Sequence, residues 1–346
     1  MKETSERAPT IRDVARLAHV GLMTVSRVIN NHPSLRPNTI KRVNAAIAAL
    51  GYRKNEAARL LKGQRAMMIG LIVPDLSDAF FGACAHTVQQ VARMHGYMTM
   101  VAGSDRDSEL EIQQAELMAS RKLSGLLVVT SVKDGDDRLQ KLQETGLAIV
   151  AFDRPLSGAQ TDAVVVENRL GSEEAVRHLI KHGHKRIVCI GYDEDVYTVR
   201  ERMEGYNGSM RAAGLKPALA LGLDTLDGTR KWVQLTIKST ERPTAIFTLN
   251  NRMSAYVLQA LSESGVPIPQ GMALIGFDDF DLATVVSPPM TTVSQSAAEV
   301  ARRAMALLLD RIAAHGRGTE FVPAKIVLPV TLTIRESCGC KPGAAI

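Results

Sequence analysis

The sequence has no apolar run approaching 18 residues, the length a helix needs to cross a bilayer. Residues 1–9 are polar and charged, without the apolar stretch of a secretory signal. Both absences point to a cytoplasmic, nucleoid-associated protein with no membrane partner. Cysteine is scarce: Cys84, Cys189, Cys338 and Cys340 are scattered and show no zinc-ligand spacing with histidine. The last two read as a reduced pair flanking one glycine. There is no phosphate loop, no Gly-x-Ser-x-Gly, no Gly-x-Gly-x-x-Gly and no metal cluster. Enzymes built on doubly wound domains therefore find no support, and no catalytic residue, metal ligand or cofactor is expected. His178 and His184 read as structural.

What is present is ample for two or three globular domains: 346 residues, 45% hydrophobic and 23% charged. The net charge of +6 is modest but unevenly placed. Residues 1–65 hold 13 Lys/Arg against 4 acids, a net +9, so the other 281 residues carry −3. A basic head on a mildly acidic body is the footprint of a nucleic-acid-binding module.

Within that head, residues 10–30 carry two short apolar stripes, Val14, Ala15 and Ala18, then Val25, Val28 and Ile29, at three-and-four spacing. The pattern predicts two helices joined by a tight turn at His19–Gly21. Thr10 is a good N-cap, with Asp13 placed to reach back to it. The second helix is expected over Leu22–Asn30, broken by Pro33. A third begins at Pro37-Asn38-Thr39, packs Ile40, Val43, Ile47 and Leu50 on the first two, and ends at Gly51. Residues 55–65 are helix-prone but too short to persist alone, and read as a linker that orders when held.

From Met67 apolar runs resembling buried parallel strands alternate with helical patterns. The first series is Met68–Val73, Tyr97–Ala102, Gly125–Val129 and Ala148–Phe152. The second is Arg186–Gly191, Ala218–Gly222, Ala245–Leu249 and Ala273–Phe277. Candidate helices are Ala83–His95, Glu109–Ser120, Gly171–His182, Arg202–Ala213, Met253–Ser264 and Ser296–Ala314, and Ile326–Ile334 is a late strand. Two βαβ series imply two doubly wound α/β subdomains, with a ligand cleft between them beyond the carboxyl ends of the strands.

The residues also resemble a known family. Asp-Val-Ala at 13–15, Thr-Val-Ser-Arg at 24–27, Val-Ile-Asn at 28–30, Gly-Tyr at 51–52 and Asn55 are similar to the head of the LacI/GalR (lactose-repressor-like) regulators. The body adds Ile-Gly-Leu-Ile-Val-Pro at 69–74, Phe80-Phe81, Phe152-Asp153-Arg154-Pro155, Gly-His-Lys-Arg-Ile at 183–187, Arg202-Met-Glu-Gly-Tyr206, Gly-Phe-Asp-Asp at 276–279 and Pro-Pro-Met-Thr-Thr-Val at 288–293. The likeness runs from about residue 10 to 338. It implies a small all-α helix-turn-helix head on an α/β body of two doubly wound parallel-sheet subdomains, like those of periplasmic sugar-binding proteins.

The expected division is a DNA-binding head at 1–54, a hinge helix at 55–65, a body at 66–338 and a tail at 339–346. In the body an N-subdomain takes about 66–166 and 295–324, and a C-subdomain about 167–294 and 325–338. The function implied is a transcriptional regulator, usually a repressor, binding a roughly palindromic operator as a dimer under control of a small ligand. A tetramer is the alternative assembly; without a heptad-repeat tail, the dimer is favoured. The competing function is a cytoplasmic sugar-binding receptor without operator binding.

Carried over by position, Leu22 and Met23 fall where base-reading side chains sit. Being apolar, they meet thymine methyls or sugar edges and read no hydrogen-bond pattern. Arg27 grips guanine or phosphate. Thr10, Thr24, Ser26, Asn30 and Asn55 match backbone-positioning groups, and Leu61 the hinge leucine that wedges into the minor groove. For the effector the matching positions are Phe80, Phe81, Asp153, Arg202, Asn250 and Asp278, a set suited to a sugar. Arg200 adds a signal for a sugar acid or phosphate. Structural alternatives stand beside these: an ion pair for Arg202 or Asp278, and core packing for Phe81. The chain departs from the family at His19-Val20-Gly21, where Gly-Val-Ser is usual, at Lys54 in place of a common proline, and at Asn251, where aspartate is frequent.

Overall fold

The computed structural model describes residues 9–29, 32, 35–52, 65–132, 135–156, 161–315 and 322–340. It divides into two compact units, Met1–Arg65 and Ala66–Ile346.

In the first unit α1 spans Ile11–Leu17, α2 Leu22–Ile29 and α3 Pro37–Leu50. The expected N-cap is present: the Thr10 N–H and hydroxyl both donate to Asp13 Oδ2, at 2.9 and 2.6 Å. His19 stands at φ +49, the left-handed conformation that glycine adopts at no cost. The turn is held from α3, where Arg42 donates to the His19 carbonyl at 3.2 Å. Gly51 closes α3 at φ +61. Val14, Ala15, Ala18, Val25, Val28, Val43 and Ala46 are buried together, so one small core fixes the angle between α1 and α2.

The second unit holds two six-stranded sheets. The first contains β1 (Ala66–Val73), β2 (Met98–Gly103), β3 (Leu123–Val128), β4 (Ala148–Phe152), β5 (Asp162–Val166) and β11 (Lys325–Leu328). Their order is β2-β1-β3-β4-β5-β11, all parallel. The second contains β6 (Ile187–Ile190), β7 (Ala218–Ala220), β8 (Ala245–Thr248), β9 (Ala273–Phe277), β10 (Thr291–Ser294) and β12 (Thr331–Thr333), in the order β7-β6-β8-β9-β10-β12. Only β12 is antiparallel. Both faces of each sheet are covered by apolar side chains, which is why these strands read as near-continuous hydrophobic runs.

Helices connect the parallel strands: α4 (Ala79–Met94), α5 (Ser108–Ser120), α6 (Arg138–Glu144) and α7 (Asn168–Lys181), then α8 (Tyr197–Ala212), α9 (Leu226–Thr236), α10 (Asn251–Glu263) and α11 (Leu282–Val285). Helix α12 (Ala297–His315) returns to the first sheet. Helices α7 and α8 press together at Gly205, where a Cβ would lie 2.3 Å from the Arg169 carbonyl. Among the described residues no helix is long and apolar enough to cross a membrane.

Two expectations need correction. The single late strand over Ile326–Ile334 is two strands in different sheets, because Pro329 has no N–H to continue a ladder. Lys325–Leu328 therefore belongs to the first lobe, and the chain crosses at Pro329-Val330. Cys338 and Cys340 are free thiols, as expected of a reduced pair, but they are not isolated: His178 of α7 and its C-cap residue His182 lie against them. That His-x-x-x-His spacing is a metal-ligand spacing, which the reading of the cysteines overlooked.

The lobes are joined by three short crossings, at Glu167, at Gln295-Ser296 and at Pro329-Val330. The first and third are tied together, the Glu167 N–H donating to Leu328 O at 3.0 Å.

Candidate functional site

On the head, α2 turns Val25 and Val28 inward and leaves Leu22 and Met23 outside, 45% and 70% exposed. Arg27, one turn beyond Met23, is exposed on the same side. Thr24 and Ser26 are half-buried beside them. Gly21 accepts the first α2 bonds, from the N–H groups of Thr24 and Val25 at 2.9 and 3.1 Å. The hydroxyl of Thr10 is spent on Asp13. Asn30, Asn55 and Leu61 lie outside the described residues.

In the body, a cavity of about 510 Å³ opens between the lobes at the carboxyl ends of the strands. The first lobe contributes Arg106, Thr130, Ser131 and Arg154, and the second Tyr192, Tyr197 and Arg200. Aspartates 193, 195 and 224 also border it, but they are exposed and screened by water. Arg154 is buried. Its Nη1 donates to the Thr130 carbonyl at 3.3 Å, while among the described residues its Nε has no hydrogen-bond acceptor. The Asp153 carboxylate stands 3.5 Å from that Nε, out of hydrogen-bond alignment. The buried Ser131 hydroxyl is likewise unpartnered. Buried polar atoms left this way cost stability unless something binds them.

Behind Thr130 and Ser131 sits Glu111, fully buried. It accepts from the Thr130 hydroxyl at 2.8 Å and the Ser131 N–H at 2.6 Å. Burial pushes its pKa up to about 7, against the pull of these two hydrogen bonds. Asp153 is pushed up to about 6, again by burial, despite Arg154 and Arg202 nearby.

The seven residues expected at the effector site separate. Arg200 lines the cavity. Phe81 is 7% exposed and packs in the first-lobe core, with the half-buried Phe80 edge-on against it at 5.3 Å between centroids. Asn250 caps α10, its Oδ1 accepting from the Met253 N–H at 2.8 Å. Arg202 and Asp278 form a buried ion pair, Nη1 to Oδ2 at 3.0 Å and Nη2 to Oδ1 at 3.3 Å. Arg202 also donates to Asn168 and to the Leu249 carbonyl, at 2.7 and 2.6 Å, and its guanidinium lies 3.7 Å from the Phe277 ring centroid. Asp278 takes a further bond from Gln295 at 2.6 Å. Burial raises the Asp278 pKa while Arg202 pulls it down. Asp153 is the carboxylate of the set that this network leaves out.

Sequence reading missed Arg106, Ser131, Arg154, Tyr192 and Tyr197. Only Arg154 carried a signal, inside a quoted motif. Asn251 proves informative: its amide donates to Asp78 of the first lobe at 3.0 Å, where an aspartate would repel it. Beside it Arg252 pairs with Asp75, so two contacts bridge the lobes.

Comparison with known proteins accords with this geometry. The model for bacterial regulatory proteins of the lacI family matches residues 10–55, and that for a periplasmic binding protein-like domain matches 176–338. The chain is similar to the HTH-type transcriptional regulator DegA of Bacillus subtilis (strain 168), 32% identical over 336 residues, covering 95% of this chain and 97% of that one. A solved complex of the transcriptional regulator CelR with cellobiose is 30% identical with a TM-score of 0.69, covering 95% and 99%. The lac repressor dimer bound to operator and the anti-inducer ONPF shares the fold, with a TM-score of 0.82 at 22% identity and coverage of 96% and 99%. Curated relatives at this similarity are regulators and not enzymes. The chain belongs to the lacI family of bacterial regulatory proteins, and is a DNA-binding transcriptional regulator that responds to a small ligand.

Proposed function

We propose that this regulator is a cytoplasmic, homodimeric repressor whose effector is a hydroxyl-rich anion of the sugar-acid or sugar-phosphate class, held in the cleft over Arg154. One observation carries the choice of ligand: Arg154 and Ser131 line the cleft, and among the described residues the guanidinium Nε of the first and the hydroxyl of the second are buried without a hydrogen-bond partner. An anionic oxygen accepts from the first, and a ligand hydroxyl exchanges a bond with the second. Arg106 and Arg200 are exposed at the rim and offset by the exposed Asp193, Asp195 and Asp224, so the choice rests on Arg154, and Tyr192 and Tyr197 supply apolar faces for a sugar ring. CelR is described with cellobiose, so a neutral sugar is the second reading.

On the head, Leu22, Met23 and Arg27 form the surface offered to a major groove, with Thr24 and Ser26 positioned for phosphates. The exposed apolar residues of α11, Leu282 (55%) and Val285 (73%), support pairing with a second copy, as the lac repressor is described as a dimer. The test is a gel shift with DNA from upstream of the protein's own gene, run with and without aldonates, sugar phosphates and neutral sugars. Sequence-selective, salt-sensitive binding altered by an anionic sugar is expected. Binding to no DNA under any ligand would leave only a receptor, and a response restricted to neutral sugars would remove the anionic reading.

A further inference from the structure

The Cys/His cluster at the far end of α7 is used by nothing described so far. His178 and His182 leave one face of the helix a single turn apart, their ring centroids 4.6 Å from each other. After β12 the chain is pinned by Ser337, whose hydroxyl donates to the Leu274 carbonyl and accepts from the Thr291 N–H at 2.8 Å. Gly339, at φ +95, then turns the backbone so that the cysteines on either side of it meet the two imidazoles. Nε2 of His178 lies 3.3 Å from Cys338 Sγ and 3.4 Å from Cys340 Sγ, and Nε2 of His182 lies 3.3 Å from Cys340 Sγ. The donor atoms of His178, His182 and Cys340 all fall within 4.8 Å of one another.

We propose that His178, His182 and Cys340 form the core of a site for zinc or a similar borderline-soft divalent ion, which Cys338, already against His178, completes as a Cys2His2 site by turning its thiol toward the ion. A tetrahedral zinc with sulfur at about 2.3 Å and nitrogen at about 2.0–2.1 Å has nitrogen–sulfur edges of roughly 3.6 Å. The three nitrogen–sulfur distances above are within a few tenths of an ångström of that value, while Cys338 lies outside the group whose donor atoms all fall within 4.8 Å and has to rotate to reach the ion. The donors are thiol and imidazole with no carboxylate among them, which favours zinc over calcium or magnesium. Charge also balances: two neutral imidazoles and two thiolates around a dication give a neutral centre, tolerable beside the buried Cys338 and His178. Coordination sends the two thiol protons to solvent and changes no oxidation state. The thiolate of Cys338 would keep a supporting bond, since the Thr291 hydroxyl already donates to that sulfur at 3.2 Å. The ion would staple the segment after β12 to α7, two pieces of chain about 160 residues apart in sequence.

The test uses the full-length protein purified without chelator. Elemental mass spectrometry is expected to find about one zinc per chain. The metal-stripped protein titrated with cobalt is expected to give tetrahedral d–d bands and a thiolate-to-cobalt charge-transfer band. A strong chelator should lower the wild-type melting temperature. His182 is exposed, so His182→Ala keeps the fold testable by circular dichroism; it and Cys340→Ser should each lose the stoichiometric ion and the chelator effect. The proposal is overturned by trace metal only with an octahedral or absent cobalt spectrum, by full stoichiometry in both variants, or by an intact mass showing Cys338 and Cys340 joined as a disulfide.

Discussion

At the end of β4 Phe152 is followed by Asp153 at φ +62, and at the end of β9 Phe277 is followed by Asp278 at φ +69. In each case the aspartate N–H donates to the neighbouring strand, to the Val164 and Val293 carbonyls, both at 2.9 Å. Both carboxylates are buried, and both hold a backbone conformation that costs a non-glycine residue energy. Their partners differ. Asp278 accepts from Arg202 and Gln295. Asp153 has the neighbouring Arg154 out of alignment, and the Nε of that arginine has no acceptor among the described residues. The carboxylate of Asp278 is tied up by hydrogen bonds, whereas beside Asp153 a guanidinium N–H is left over, the group to which the proposed ligand would bind. Motif position marks both aspartates alike, and hydrogen-bond satisfaction separates them.

The largest test of that contrast is Arg202→Met. It strands a buried carboxylate and should destabilise the body by about 3–5 kcal/mol in urea melts. A loss under about 1 kcal/mol would mean that the ion pair does not hold the second lobe, and the contrast would fall. Arg154→Met should do the reverse, leaving the melting temperature nearly unchanged. Effector affinity, measured by calorimetry, should drop about 10- to 100-fold, as expected for a lost charge-assisted bond. Equal effects of the two substitutions on stability would erase the distinction.

A smaller effect comes from the acids around the cleft. Asp153 and Glu111 are pushed up to about 6 and about 7, so the folded body holds more protons than the unfolded chain from roughly pH 4 to 7. Their contribution to stability is therefore fully present below about pH 4 and falls as pH rises through 6 and 7. Thermal melts at pH 5.5 and 7.5 should differ by more in the wild type than in Glu111→Gln, and an identical difference would remove Glu111 from the account. The smallest effect belongs to the head. Restoring His19→Gly with Gly21→Ser should stabilise a 1–65 fragment by about 1 kcal/mol. Room exists for the serine, since a Cβ on Gly21 meets only Thr24 Oγ1, at 4.0 Å. An unchanged melt would show that the turn carries no strain.

Much of the fold could be read from periodicity. All eight body strands expected before the late one occur within two residues at each end, because strands covered on both faces are apolar throughout. β5 and β10 escaped notice. β10 is four residues long and half threonine, and β5 enters with an aspartate. Buried Asp162 is satisfied from far along the chain, by Arg311 of α12, 149 residues away, with bonds of 2.6 and 2.9 Å, and by the Ala324 N–H at 2.7 Å. The cleft was less legible. Whether Arg202 faces ligand or protein depends on Asn168, Leu249, Asp278 and Gln295, which no local pattern brings together. Arg106 and Tyr192 meet as a cation over a ring, 5.2 Å apart, only when the lobes are assembled. Cys338 and Cys340 are free thiols, as expected of a reduced pair, but their histidine neighbours were not legible. Their spacing was judged against nearby histidines, while the matching pair sits on a helix about 160 residues earlier.

The three crossings at Glu167, Gln295-Ser296 and Pro329-Val330 set the mechanics of the body. Straps this short, two of them tied side by side, let the lobes swing about one line but resist sliding or twisting past each other. Gln295 lies in one strap and holds Asp278, so that strap is anchored directly on the second lobe's buried ion pair.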